Sequence, residues 1–269
     1  MRKNPWIYYG KKLLIFVVSI FLLSVIVFYI ARLAPGDPLV SYYGERAEKM
    51  TAGERAWAEE KLGLHESITV QYGKWLGRAV RGDFGISYKY KMDVLEVIEG
   101  RVGNTLLLGG VGFVLIFVLA LLLGIWCAWN EERLIDRAIC KIGTVTSCIP
   151  EFWLSLVLIL IFAVELKVLP SSGAYTIGKE NDLGDRILHL ILPMTVVVLG
   201  HLWYYAYLIR NKLLEEVRTD YVLLAKSKGV TGKSVMFRHC VRNIIPTYLS
   251  IMAISVPHIL GGTYIIETV

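Results

Sequence analysis

The amino-acid sequence predicts an all-α integral membrane protein with five transmembrane helices and a large extracytoplasmic loop. Hydrophobic residues make up 55% of the 269 residues and charged residues only 19%, whereas soluble domains carry about a quarter charged residues. The apolar residues form long runs, each near the roughly 20 residues that cross a bilayer as a helix. Because lipid cannot satisfy exposed backbone groups, continuous runs of this length indicate helices rather than short alternating barrel strands.

Five such runs lie along the chain. Four contain no Asp, Glu, Lys or Arg, and the third contains a single acid, Glu151. In order they are residues 13–31, 105–129, 142–164, 189–209 and 244–266. The first run is too long for the core of a cleaved signal peptide, so we expect it to be retained as a span.

The basic residues predict which side of the membrane each connecting segment occupies. Lysine and arginine gather in residues 1–12, 130–141 and 210–243, which share one side if all five runs cross. The positive-inside rule places that side in the cytoplasm, with residues 32–104 and 165–188 outside. The net charge of +6 therefore follows the membrane edges, and no nucleic-acid partner is expected. We expect a multi-pass membrane protein with a cytoplasmic N-terminus.

The outer loop contains recognisable helices of its own. Residues 51–62 read as an amphipathic helix that begins with a Thr51–Glu54 capping box and ends at Gly63. A second helix is predicted over residues 68–80, and a short one over residues 94–102 leads into the second span.

The cytoplasmic segment, residues 210–243, predicts a helix, a turn and a second helix. Its apolar residues recur at helical spacing from Leu213 to Ala225, and Gly229 ends the first helix. The resulting basic segment has an apolar face that must pack against its own membrane domain, the lipid surface or a partner protein.

Nothing in the sequence predicts an enzyme. The stretch from Gly229 to Ser234 ends like a phosphate-binding loop, but it has two residues between its glycines where that loop needs four. Catalytic Ser, His and Asp residues do not form a motif. We also expect no metal site, because a metal needs converging ligands that one sequence does not display.

Several polar residues in the spans are candidates for a translocation path. A charge inside a span is costly and commonly faces a cavity or partner, which makes Glu151 the first candidate. His201, Tyr205 and His258 are the others, since histidines and nearby aromatic residues suit a pore lining. The alternative for each is a hydrogen-bonded packing residue, and both interpretations stay open.

A series of short motifs runs in order along nearly the whole chain. In the cytoplasmic segment they are Asp220-Tyr221-Val222, Ala225-Lys226-Ser227-Lys228-Gly229 and Phe237-Arg238-His239, which continues to Asn243-Ile244-Ile245-Pro246. Elsewhere they include Ala34-Pro35-Gly36-Asp37-Pro38, Gly82-Asp83-Phe84-Gly85, Ile149-Pro150-Glu151-Phe152-Trp153-Leu154 and Leu169-Pro170-Ser171-Ser172-Gly173. Each motif is short, but the ordered set resembles ABC-importer permeases of the peptide/nickel branch, which serves dipeptides and oligopeptides.

The resemblance implies a type I ABC importer permease fold and a set of partners. Such a permease pairs with a second homologous permease subunit to enclose the path for peptides or nickel complexes. Two ABC ATPase subunits bind the cytoplasmic loops, and an extracytoplasmic solute-binding protein delivers the solute. ATP and Mg would therefore bind the partner ATPases, and this chain would carry no cofactor of its own.

The resemblance also assigns ATPase coupling to particular positions. They are Asp220, Tyr221, Leu224, Ala225, Lys226, Lys228, Gly229 and Arg238. Ala225 and Gly229 lie four residues apart on one helix face, where small residues allow close backbone approach. The chain departs from the general signature, since Leu223, Leu224 and Ala225 stand where that signature has Glu-Ala-Ala.

The family has a sixth span after a Glu-Thr-Val motif, which corresponds to residues 267–269 here. We therefore expect this chain to be truncated at that point.

Two functions outside this family remain alternatives at the sequence level. One is a membrane scaffold or receptor whose cytoplasmic segment holds a partner. The other is an ion-coupled secondary transporter, which usually carries several intramembrane charges, whereas this chain has only Glu151 well inside a span.

Overall fold

The computed structural model describes residues 5–87 and 89–268. Arg2 and Lys3, which belong to the predicted cytoplasmic flank, lie outside the described residues. Val269, the last residue of the Glu-Thr-Val motif, also lies outside them. The described chain forms two compact units that divide between Gly100 and Arg101. In chain order its helices are α1 (Pro5–Leu33), α2 (Pro38–Tyr43), α3 (Ala52–Lys61), α4 (Ile68–Ala79), α5 (Val94–Trp129), α6 (Leu134–Ser147), α7 (Glu151–Ile159), α8 (Leu183–Val217), α9 (Asp220–Ser227), α10 (Gly232–Ser234) and α11 (Val241–Thr268).

The first unit is built on the long apolar helix α1. Its side chains are apolar all round and mostly exposed, as suits a helix surrounded by lipid. Helix α4 packs against it through Tyr72, whose hydroxyl is 2.8 Å from Ser24 Oγ and whose ring lies 5.3 Å from that of Phe28.

The predicted start of α3 is confirmed. Thr51 and Glu54 form the capping box, and Gly63 after the helix has a φ of +65°, which glycine adopts without strain. The short helix predicted over residues 94–102 is instead the first part of α5. Glu96 and Glu99 interrupt the apolar run, but acidic residues do not break a helix, so the backbone continues.

The second unit is organised around α8, which packs against α6, α7 and α11. Its core includes Phe117, Val196, Ile209, Leu213 and Ile259. Helices α5 and α8 approach closely at Gly124, where a Cβ atom would lie 2.7 Å from Ile209 Cγ2. Small residues allow such close packing between membrane helices.

The structure divides the predicted third span, residues 142–164, into two helices. Helix α6 and the run formed by α7 with the π-helical turn Leu160–Glu165 meet at 94°. Pro150 stands directly before α7, where its missing N–H costs nothing because the first helical residues lack partners. Among the residues that the structure describes, four helices are long and apolar enough to cross a membrane, or five if the bent pair is one span.

The fourth apolar run ends at residue 209, but α8 continues to Val217. The prediction of a single helix from Leu213 to Ala225 is therefore wrong, since the helix is interrupted at Arg218 and Thr219 before α9 begins. Hydropathy detects the length in contact with lipid. Residues 210–217 mix Leu213, Leu214 and Val217 with charged residues, and leucine, lysine, arginine and glutamate are all good helix formers.

Candidate functional site

The 210–243 segment consists of the end of α8, the short helices α9 and α10, and the π-helical turn Val235–Cys240. Gly229 follows α9 with a φ of +82°, a backbone conformation that favours glycine. Thr231 then begins α10 by accepting a hydrogen bond from the Ser234 N–H at 3.4 Å. A sharp turn therefore stands between two helical elements, as the sequence predicts.

One side of this segment is anchored in the core of the second unit. Val222 from α9 is fully buried, together with Leu213, Val235, Met236 and Cys240. These side chains come from α8, α9 and the π-helical turn, and they join the main hydrophobic cluster. The segment is thus a packed extension of the helical unit.

A polar network fixes α9 to its neighbours. The Tyr221 hydroxyl donates to Glu216 Oε1 at 2.6 Å, and the Asn243 amide donates to the same oxygen at 3.0 Å. Burial, and then the hydrogen bond to Glu216, raises the pKa of Tyr221 above its usual range. The phenol therefore stays protonated and remains a donor to the carboxylate.

The opposite side of α9 faces outward. Leu223 and Leu224 are 61% and 55% exposed. Of the eight positions assigned to coupling, Tyr221 and Ala225 are half-buried and the others are exposed, namely Asp220, Leu224, Lys226, Lys228, Gly229 and Arg238. An exposed apolar tip flanked by basic residues on a buried base can dock into a groove of another protein.

A second cluster brings three of the four candidate path residues together from three helices. Glu151 Oε1, at the start of α7, lies 3.2 Å from Nδ1 of His201 on α8. The His258 ring on α11 meets the His201 ring edge to face, with centroids 5.3 Å apart. The Val197 carbonyl lies 3.1 Å from the same Nδ1, so two oxygen acceptors surround this nitrogen. That arrangement favours a proton on Nδ1.

Two glycines make room for this cluster. A Cβ atom on Gly200 would lie 2.5 Å from Glu151 Oε1, and one on Gly262 would lie 3.4 Å from His201 Cε1. Neither glycine was singled out for this purpose from sequence, because the contact exists only once α7, α8 and α11 are assembled.

Tyr205 occupies a different environment from the other candidates. It is 3% exposed and packs on Phe117 with ring centroids 4.6 Å apart, while its ring also stacks near His201 at 6.5 Å. The structure thus places Tyr205 in the hydrophobic core next to His201, whereas His258 is exposed.

An ion pair that the sequence analysis missed joins α6 to α8. Asp136 is 2% exposed and accepts two hydrogen bonds from Arg210, from Nε at 2.6 Å and from Nη2 at 2.5 Å. The Glu132 N–H also donates to Asp136 at 3.0 Å. The available signal was Asp136 among three acids and three basic residues in residues 130–141, which did not identify a partner 74 residues away.

The part of the chain that the structure describes contains no cluster of potential metal ligands. Within residues 5–87 and 89–268, no group of three or more His, Cys, Asp or Glu side chains could hold an ion.

The family model and the similar proteins found by comparison agree on one family. Residues 120–269 match the family described as binding-protein-dependent transport system inner membrane component. The chain is 33% identical over 248 residues to the oligopeptide transport system permease protein AppB of Bacillus subtilis (strain 168), covering 92% of this chain and 78% of the relative. It is 29% identical over 264 residues to the probable peptide ABC transporter permease protein y4tP of Sinorhizobium fredii, covering 98% and 82%.

A third relative is a putative peptide permease protein of Brucella suis biovar 1, which is 31% identical over 259 residues, covering 96% of this chain and 81% of the relative. The family match extends over the second unit from the last third of α5 onward, and so includes both the Glu151–His201 cluster and the 210–243 segment. With its long apolar helices and this match, the chain is a multi-pass membrane protein that belongs to the family of inner membrane components of binding-protein-dependent transport systems.

Proposed function

We propose that this chain is one permease subunit of a peptide importer driven by ATP hydrolysis on partner subunits. The observation that carries the proposal is the exposed apolar tip of α9, Leu223 and Leu224, on a base buried in the membrane unit. Exposed leucines on a rigid base suit a surface that another protein covers. The relatives' names favour peptides as the solute over the nickel complexes that the resemblance left open.

In this proposal two ABC ATPases bind the 210–243 segments of this chain and of a second, homologous permease. ATP and Mg belong to the ATPases, and this chain is not itself an enzyme and holds no cofactor. Force passes from the tip into α8 and α11, because the base of the segment shares the hydrophobic core of those helices. Val222 and Met236 are the side chains through which α9 and the following turn join that core.

The orientation follows from the same assignment. The N-terminus and the 210–243 segment face the cytoplasm of a bacterial or archaeal cell, and a solute-binding protein approaches the opposite side. The translocation path runs along the face of the second unit where Glu151, His201 and His258 meet, next to the second permease. Tyr205 supports this cluster from within the core.

Purification from native membranes tests the proposal. We expect the tagged chain to bring down two ATPases and a second permease, and the reconstituted complex to take up tripeptide only with ATP and the external binding protein. The variant Gly229→Val places a β-branched residue at a φ of +82°, which is strained, and should lose the ATPases. Gly229→Asn is the matched control, since Asn tolerates this conformation.

Two results would refute the proposal. Recovery of the chain without any ATPase would remove its central element. ATPase binding without uptake of any peptide would point instead to a scaffold.

A further inference from the structure

A cavity of about 590 Å³ lies in the second unit, at the end of α8 remote from the 210–243 segment. Its walls come from the first turns of α5 beyond Arg101, from α7, from residues 170–174, and from residues 186–196 of α8. The volume falls within the range of small-molecule sites. The path candidates Glu151, His201 and His258 do not line it.

The charge of the cavity wall has one sign. Arg101 and Arg186 both line it, and its described lining includes no Asp or Glu. The nearby acid Asp185 accepts from the Thr176 N–H at 2.6 Å and from the Thr176 hydroxyl at 2.8 Å, and its Oδ2 lies 3.6 Å from Nε2 of His189. His189, which also lines the cavity, is held by the Gly173 carbonyl at 3.0 Å from its Nδ1. The charged side chains that line the cavity are therefore the two arginines, Arg101 and Arg186.

Arg186 is positioned for an anion. Its guanidinium lies over the Tyr175 ring, 5.5 Å from the centroid, which fixes the side chain by a cation–π contact. Its Nε is covered by protein atoms and has no hydrogen-bond partner, although buried polar groups are nearly always satisfied. The terminal nitrogens are therefore the part of the guanidinium that a ligand in the cavity can reach. A guanidinium presents its N–H groups as a fork that matches a carboxylate.

The rest of the cavity is suited to a short organic chain. Leu107, Leu108 and Val196 contribute apolar wall, while Asn104 and the serines of the 170–174 loop add small polar groups. Such a mixture of apolar surface and a few placed polar groups is typical of sites for small organic molecules. A bare inorganic anion would leave the apolar wall uncovered.

We infer that this cavity binds the carboxylate of a small organic solute, such as the C-terminal carboxylate of a short peptide, through Arg186 with Arg101 nearby. The inference rests on the proposed function, because it makes the cavity a binding site on the route of the imported solute. It assigns to the permease itself a selection for free carboxylates, beyond what a solute-binding protein selects.

Calorimetry on the intact complex in phosphatidylcholine nanodiscs tests the inference, with tri-alanine and its C-terminal amide as ligands. We expect the acid to bind at least about tenfold more tightly than the amide, as losing a charged hydrogen bond implies. Arg186→Gln should reduce the affinity for the acid to that for the amide. Arg133→Gln, an exposed arginine outside the cavity, should leave both affinities unchanged.

Equal binding of acid and amide by the wild-type complex, or no binding of either, overturns the inference without any variant that could misfold. Retention of the acid preference in Arg186→Gln overturns it as well. If phosphatidylglycerol in the nanodiscs abolishes tri-alanine binding, the cavity is a lipid headgroup site and the inference is wrong. Peptide uptake by a wild-type complex that binds acid and amide equally would leave the proposed function standing.

Discussion

Arg210 holds Asp136 through two hydrogen bonds, from Nε to Oδ1 at 2.6 Å and from Nη2 to Oδ2 at 2.5 Å. The aspartate is 2% exposed and the arginine side chain 16%, so the pair is largely removed from solvent. It ties α6 to α8 just where α8 leads into the proposed ATPase-docking segment. A rigid connection at this point is what transmission from that segment requires.

Removing Asp136 should therefore be costly. We expect Asp136→Ala to lower the free energy of unfolding by about 3 kcal/mol, because it leaves a buried, unpaired guanidinium. Thermal unfolding of the purified protein in detergent measures the change. The exposed pair of Glu131 with Arg218 supplies the control, and Glu131→Ala should cost only about 0.5 kcal/mol.

A double-mutant cycle completes this test. If Arg210→Ala and Asp136→Ala act through the same pair, the double variant should lose less stability than the sum of the two single variants. Additive losses would mean that the two residues act independently.

Glu151 should matter for transport more than for folding. We expect Glu151→Gln to lower the uptake rate about tenfold, equivalent to about 1.4 kcal/mol, since it removes the charge beside His201. The thermal midpoint should change little, because the amide fills the same space. The matched control is Glu165→Gln, at an exposed acid at the end of the same helical run. Unchanged uptake in Glu151→Gln would show that Glu151 is not part of the translocation path.

Gly200 gives an independent test of the same contact. The added methyl group of Gly200→Ala would lie 2.5 Å from Glu151 Oε1, so the carboxylate must move away from His201. We expect reduced uptake with nearly normal folding, because a flexible side chain can yield. Gly261→Ala meets nothing within 4 Å and should transport as the wild type does. Equal activity of the two variants would show that the Glu151–His201 contact is dispensable.

Tyr221 should govern the order of α9. In Tyr221→Phe the hydrogen bond to Glu216 is lost, and we expect α9 to be less stable by about 1 kcal/mol. Hydrogen exchange measured by mass spectrometry should then be about fivefold faster in residues 220–227, with α5 unchanged. Exchange as slow as in the wild type would mean that the burial of Val222 alone holds the helix.

The sequence predicts the parts of this fold that depend on local composition. Four of the five apolar runs lie within long helices, and the capping box at Thr51 and the turn at Gly229 are both observed. These features arise from neighbouring residues, so a single sequence is enough to find them.

Features that depend on assembly could not be predicted. The pairing of Asp136 with Arg210 joins positions 74 residues apart, and the burial of Tyr205 is decided by Phe117 on another helix. The 94° bend before α7 could not be predicted from the continuous apolar run 142–164, and the two helices that meet there, α6 and α7, both pack against α8. The position of the break between α8 and α9, at Arg218 and Thr219, could not be predicted because the apolar residues keep their helical spacing across it.

Photo-cross-linking at position 224 tests the central claim most directly. A benzoylphenylalanine that replaces Leu224, which is 55% exposed on α9, should cross-link in native membranes to a protein with ATPase sequence motifs. The same group in place of Leu33, which is 71% exposed at the end of α1, should give no such product. A position-224 variant that assembles normally but cross-links only to lipid, or to a protein without ATPase activity, would contradict the account.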